Sequence, residues 1–287
     1  MTDGLKKFLL KMIESALNGF DSMVIDSQRI LSTGNEAVWN NVLTLSDVLK
    51  PFCYTVIGIC LLIEIAQVAA KVDLLKWEHG LKLAVKMVLA KVCIDIAPVF
   101  LKACYQQAAD WIQATATSGA DVELGASLSH HMSTLFSGIS GLGNVLGLFA
   151  STSILIIAIK ICGLLVQVIA YGRMFELYVY LAVSPLPCAF FPLGDGSGGG
   201  FNRLTGKYFK SFAAICLQGV MMILCIRIFN MIIGDAFNTL INQALASGGE
   251  KSIIVSDLCY TMLLGSVVLV MGITKCGSWA KNILDAM

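Results

Sequence analysis

The chain has 287 residues, of which 57% are apolar and only 14% charged, against roughly 25% charged in ordinary soluble domains. So little charge cannot cover the water-facing surfaces of the two or so soluble domains that this length would make, which excludes a conventional cytosolic enzyme. Twenty Lys and Arg against nineteen Asp and Glu leave a net charge of +1, so no global basic field holds nucleic acid by phosphate neutralisation.

Residues 1–50 read as an N-terminal helical region and 51–287 as a polytopic transmembrane domain. In the first, Leu5, Phe8, Leu9, Met12, Ile13, Ala16, Leu17 and Phe20 recur at three- and four-residue intervals, one apolar face of a helix. Lys11 and Glu14 interrupt it, so it is neither a signal-peptide core nor a span. An interfacial or partner-docking helix and a core helix of a small soluble cap both fit.

A helix crossing a hydrocarbon core of ~30 Å needs ~20 mostly apolar residues. Pro51 to Ala70 meets this, opening on a proline at a first-turn position where the missing N–H costs nothing. Gly80 to Leu101 is apolar apart from Lys82, Lys86, Lys91 and Asp95, so it is a span packed inside a bundle or an interfacial helix, the span being favoured. Ala103 to Gly143 contains Ser, Thr, Gly and Ala, has no Lys or Arg, and reads as an external loop. Val145 to Tyr171 is the most apolar long run, broken only by Lys160 and Gln167. Phe175 to Leu193 carries Pro185, Pro187 and Pro192, which oppose a continuous helix after Ser184, and reads as a half-helix or re-entrant hairpin. Spans at Phe209 to Ile233 and Leu258 to Ile273 complete an all-α membrane helix bundle.

The positive-inside rule places Lys71, Lys76 and Lys82, then Arg173, then Arg203, Lys207 and Lys210, then Lys275 and Lys281 in the cytoplasm. The outcome is five crossings plus the proline-broken segment, N-terminus outside and C-terminus inside, in the cytoplasmic membrane.

Chemistry-bearing motifs are sparse. Gly194, Gly196 and Gly199 match a GxGxxG pattern but lie between apolar helices rather than in a βαβ unit. His130 and His131 are adjacent, which suits joint metal ligation poorly. The ten Cys are scattered through apolar runs without a CxxC pair and read as small buried hydrophobes rather than metal ligands. No catalytic, cofactor or metal site is expected. Gly143, Gly147 and Ser151, at four-residue spacing, give a flat face for close helix packing or subunit contact. Glu64, Lys86, Lys91, Asp95, Lys160 and Arg227 are ionisable groups within spans, each requiring protein, water or a partner around it. If the turn after the first span is centred near residue 75, antiparallel packing brings Glu64 level with Lys86, both ~16 Å of helix from the turn at ~1.5 Å per residue, where pairing is favoured.

The sequence YGRMFELYVYLAVSPLPCAFFP, then a Gly-rich loop, then KYFKSFAAICLQGVMMI, resembles the TrbL-type polytopic membrane subunit of conjugative type IV secretion systems, the sixth component of the VirB series. The versions carried by conjugative elements of Gram-positive bacteria are most similar. Arg173, Glu176, Leu177, Tyr178, Pro185 and Pro187 fall on the R-x-x-E-L-Y and S-P-x-P positions of that family, and Lys210, Phe212, Gln218 and Gly219 on its K-x-F and Q-G positions. The resemblance implies a non-enzymatic channel or scaffold that moves DNA and protein across the membrane. It implies assembly with an ATPase, with other membrane subunits and with further copies of itself, in contact with lipid and with translocating DNA or protein that it does not read by sequence. The alternative from residues alone is a self-contained secondary transporter of a small molecule, suggested by the broken helix and the intramembrane charges.

Overall fold

The computed structural model describes residues 2–33, 36–70, 77–117, 142–190, 200–247 and 251–286. All of these are helical apart from Ser184 and Phe190, and no strand occurs among them. The helices are α1 (Thr2–Thr33), α2 (Glu36–Ala70), α3 (Trp77–Thr117), α4 (Leu142–Val183), α5 (Pro185–Ala189), α6 (Gly200–Ser247) and α7 (Lys251–Ala286).

Four stretches among the described residues are long and apolar enough to cross a membrane: Glu36–Ala66, Thr152–Ala189, Thr205–Ala236 and Tyr260–Leu284. Helix α3, with the segment read from sequence as the second crossing, is not among them, since Lys82, Lys86, Lys91 and Asp95 crowd its apolar stretch. Three boundaries also differ from the sequence reading. Pro51 lies inside α2 rather than in its first turn, because residues 36–50 are helical as well. Ala103 to Thr117 is the last part of α3 rather than loop; 118–141, with His130 and His131, lie outside the described residues. Phe175 to Val183 continues α4 without interruption, so the separate segment among the described residues is the five-residue α5; 191–199, with Pro192, Gly194, Gly196 and Gly199, lie outside them.

The chain divides into two compact units. One comprises Met1–Ser32, Trp111–Gly172 and Gly219–Trp279. Its buried side chains include Ile13 and Leu31 of α1, Ile112, then Ile156, Ile159, Val166 and Ala170 of α4, Met222, Ile223 and Ile226 of α6, and Leu269, Ile273 and Cys276 of α7. Phe8, a residue of the expected apolar face of α1, is exposed whereas Ile13 is buried. Helices α6 and α7 approach closely here: a Cβ at Gly265 would run into the Ile233 side chain and come within 3.0 Å of Phe229 Cε2. Any larger residue at position 265 requires the Ile233 and Phe229 side chains to shift.

The other unit comprises Thr33–Asp110, Arg173–Gln218 and Ala280–Met287. In it α2 and α3 run antiparallel. The short α5 packs on them in a buried cluster of Cys53, Ile57, Ala90, Ile94, Ala97, Cys188 and Ala189, flanked by Val56, Met87, Cys93, Leu186 and Phe209. Trp39 holds the part of α2 before Pro51 in place, with its ring 4.8 Å from that of Tyr105 and 4.9 Å, edge-on, from that of Tyr178. Pro51 removes the N–H that the Asp47 carbonyl would receive, yet these aromatic contacts keep both halves of α2 packed.

Candidate functional site

The polar groups of the second unit define the candidate site. On the α2–α3 pair, Lys86 Nζ donates to Glu64 Oε1 at 2.9 Å, with only 18% and 12% of the two side chains exposed. Nearly three turns along, the Tyr54 hydroxyl donates to Asp95 Oδ1 at 2.5 Å. The two contacts keep one antiparallel register, so the carboxylates of Glu64 and Asp95 each face a donor on the neighbouring helix. Glu64 Oε2 is buried without a hydrogen-bond partner, which leaves that carboxylate dependent on Lys86.

The second cluster surrounds the helix break. Ser184 N–H bonds to the Leu181 carbonyl at 3.3 Å, a tightened last turn of the kind that ends helices. That contact diverts the donor a continuous helix would aim at the Tyr180 carbonyl, and the Tyr208 hydroxyl of α6 donates to Tyr180 O instead. Helix α5 ends at Ala189, so the Pro187 carbonyl also loses its in-helix donor, and the Thr205 hydroxyl supplies one at 2.9 Å. Thr205 and Tyr208 are three apart and so share one face of α6. Backbone carbonyls freed at membrane depth are costly unless the protein satisfies them, and these two hydroxyls do so. The Tyr208 ring also stacks on that of Tyr180 at 5.4 Å.

The remaining sequence-derived candidates are placed as follows. Arg173 Nη1 donates to Glu176 Oε2 at 2.7 Å on the outer face of α4. Leu177 is buried and Tyr178 meets Trp39. Pro185 and Pro187 are buried in α5. Lys210 Nζ donates to the Leu284 carbonyl at 3.1 Å, a cation at the C-terminal end of α7 where the helix dipole favours one. Phe212 and Gln218 are buried. Gly219 belongs to the first unit, where its missing Cβ would stand 3.3 Å from Ile112 Cδ1. Gly143, Gly147 and Ser151 lie on the first turns of α4, and their surroundings fall outside the described residues. Of the other span charges, Lys91 and Lys160 are exposed and Arg227 is half-buried.

The structure thus brings together Glu64 with Lys86, Arg173 with Glu176, and Pro187 with α6. Sequence reading missed Trp39, Tyr54, Thr205 and Tyr208. Trp39 precedes the apolar run, and the hydroxyls at 205 and 208 matter only through the break that they cap. No group of three or more His, Cys, Asp or Glu side chains able to hold a metal ion occurs among the described residues.

These features define a polytopic helical membrane protein in which several interior polar groups are matched to one another. Residues 32–185, more than half of the chain, match the model of the family described as TrbL/VirB6 plasmid conjugal transfer like protein. The chain belongs to this family and is a component of a conjugal transfer apparatus. The matched region takes in Glu64, Lys86, Arg173, Glu176, Tyr178 and Pro185, and ends before Pro187, Lys210, Gln218 and Gly219. No curated protein and no solved structure matches the chain.

Proposed function

We propose that the protein is a non-enzymatic scaffold of a conjugative DNA-transfer channel in the cytoplasmic membrane, its N-terminus outside and its C-terminus inside. The observation that carries this reading is the matching of interior polar groups: Glu64 with Lys86 and Asp95 with Tyr54 within the family region, and the carbonyls of the helix break with α6 hydroxyls that lie beyond it. Groups used up in this way fix helix positions rather than bind or transform a substrate. Its partners on this reading are the ATPase and other membrane subunits of the apparatus, further copies of the chain, membrane lipid, and DNA or protein passing without sequence-specific contact. The family-motif residues Arg173, Glu176, Tyr178, Pro185, Pro187, Lys210, Gln218 and Gly219 serve structure, as does the packing face of Gly143, Gly147 and Ser151.

Deletion of the coding sequence from a conjugative donor is expected to abolish transfer, and the affinity-tagged protein to restore it and to co-purify with other apparatus subunits. Normal transfer by the deletion strain, or purification as a lone monomer with saturable small-molecule binding, would favour the transporter instead. The orientation has its own check, thiol labelling of single-cysteine variants in a Cys-depleted background. Gly125→Cys is expected to react only from outside, Lys76→Cys and Arg203→Cys only from inside. External labelling at position 203 would overturn the orientation.

A further inference from the structure

In the first unit, two thiols from different helices stand in direct contact: Cys225 Sγ of α6 lies 3.4 Å from Cys276 Sγ of α7. Cys276 also donates its thiol proton to the Gly272 carbonyl at 3.2 Å. With that proton engaged, the Cys225 thiol is the donor in the sulfur–sulfur contact. Cys276 is fully buried whereas Cys225 is partly accessible, so a reagent reaches Cys225 first. The helices are already held close by the Gly265 crossing with Ile233 and Phe229. Closing a disulfide shortens the 3.4 Å sulfur–sulfur separation by about 1.4 Å, to about 2.05 Å.

We propose that Cys225 and Cys276 form a redox-active dithiol that closes to a disulfide between α6 and α7, with a small organic disulfide as its co-substrate. The Cys225 thiol gives up its proton, and its sulfur attacks the small disulfide. The S–S bond of the small disulfide breaks, one small thiol leaves, and a mixed disulfide forms on Cys225. The Cys276 sulfur then attacks Cys225 Sγ and expels the second small group, whose sulfur takes up the Cys276 proton as it leaves. Two protein thiols are oxidised by two electrons in all, and one small disulfide is reduced to two thiols that take up the two protons. The product pins the two helices covalently, in addition to the packing at Gly265. This step is independent of the proposed role in conjugation, and its test reads thiols rather than transfer.

The full-length protein in isolated membranes is treated with 4,4′-dithiodipyridine, capped with N-ethylmaleimide and digested without reductant. Mass spectrometry is expected to find the peptides of Cys225 and Cys276 joined. Relative to the wild type, Cys225→Ala/Cys276→Ala should release two fewer equivalents of thiopyridone. Cys276→Ala should release one fewer and keep the pyridyl group on Cys225. The proposal is overturned if Cys225 and Cys276 are both recovered as maleimide adducts. It is equally overturned if Cys225 stays a stable mixed disulfide in the wild type, or if the cross-link forms instead among Cys53, Cys93 and Cys188, which share the buried cluster of the other unit.

Discussion

Lys86→Met is expected to destabilise the protein strongly, by about 3 to 5 kcal/mol, the cost typical of removing one partner from a buried ion pair. The size follows from the Glu64 carboxylate. Its side chain is only 12% exposed, Oε2 already lacks a hydrogen-bond partner, and loss of the 2.9 Å contact with Lys86 Nζ strips Oε1 as well. A bare carboxylate inside an apolar helix pair must then take up a proton or draw in water, and either weakens the α2–α3 contact. Glu64→Gln is expected to cost less, since the amide keeps a carbonyl acceptor for Lys86 at the same place. The double variant Glu64→Gln/Lys86→Met removes both charges and should recover much of the loss. Unfolding of the four proteins in one detergent provides the comparison. If the two single losses add in the double variant, the pair contributes no coupling, and Tyr54–Asp95 is left as the contact that sets the helix register.

What the sequence made legible follows from how costly each feature is. Charges at Glu64, Lys86 and Asp95 inside apolar runs stand out because lipid does not solvate them, and antiparallel geometry alone sets Glu64 level with Lys86. The all-helical class is equally readable, since only helices satisfy such long apolar backbones internally. The start of α2 was not readable at Pro51, because Glu36 to Lys50 is half-polar and its helix depends on Trp39 reaching Tyr105 and Tyr178, residues far away in sequence. The same holds for Ala103 to Thr117, polar enough to read as loop, in which Tyr105, Ala108, Ala109 and Ile112 are nonetheless buried. The prolines announced a break at Ser184, whereas the hydroxyls of Thr205 and Tyr208 have no signature of their own. A Thr and a Tyr three apart on a helix become functional only when free carbonyls lie opposite.

The largest effect on function is expected from restoring the two donors that the break lacks. Pro185→Ala/Pro187→Ala supplies N–H groups aimed at the carbonyls of Leu181 and Val183, four residues earlier, and removes two residues that each oppose a helix interior by about 3 kcal/mol. Against this stands the burial of α5, in which the non-proline contacts are the partly buried Leu186 and the small Cys188 and Ala189. Full burial of a leucine is worth ~1.5 to 3 kcal/mol and the two small side chains add little more, which together fall short of what the two prolines oppose. Helix continuation therefore wins, α5 leaves its place on Cys53, Ile57, Ala90 and Ile94, and the hydroxyls of Thr205 and Tyr208 lose their acceptors. The variant should accumulate in the membrane with unchanged or greater helix content by circular dichroism, yet support no conjugal transfer. Tyr208→Phe/Thr205→Val should behave in the opposite sense. It keeps the break but strands two carbonyls, at about 1 to 3 kcal/mol each, so accumulation should fall first and transfer only in proportion. Transfer at the wild-type frequency by the alanine pair would show that the break at Ser184 is dispensable, and that α2 and α3 hold their places without α5.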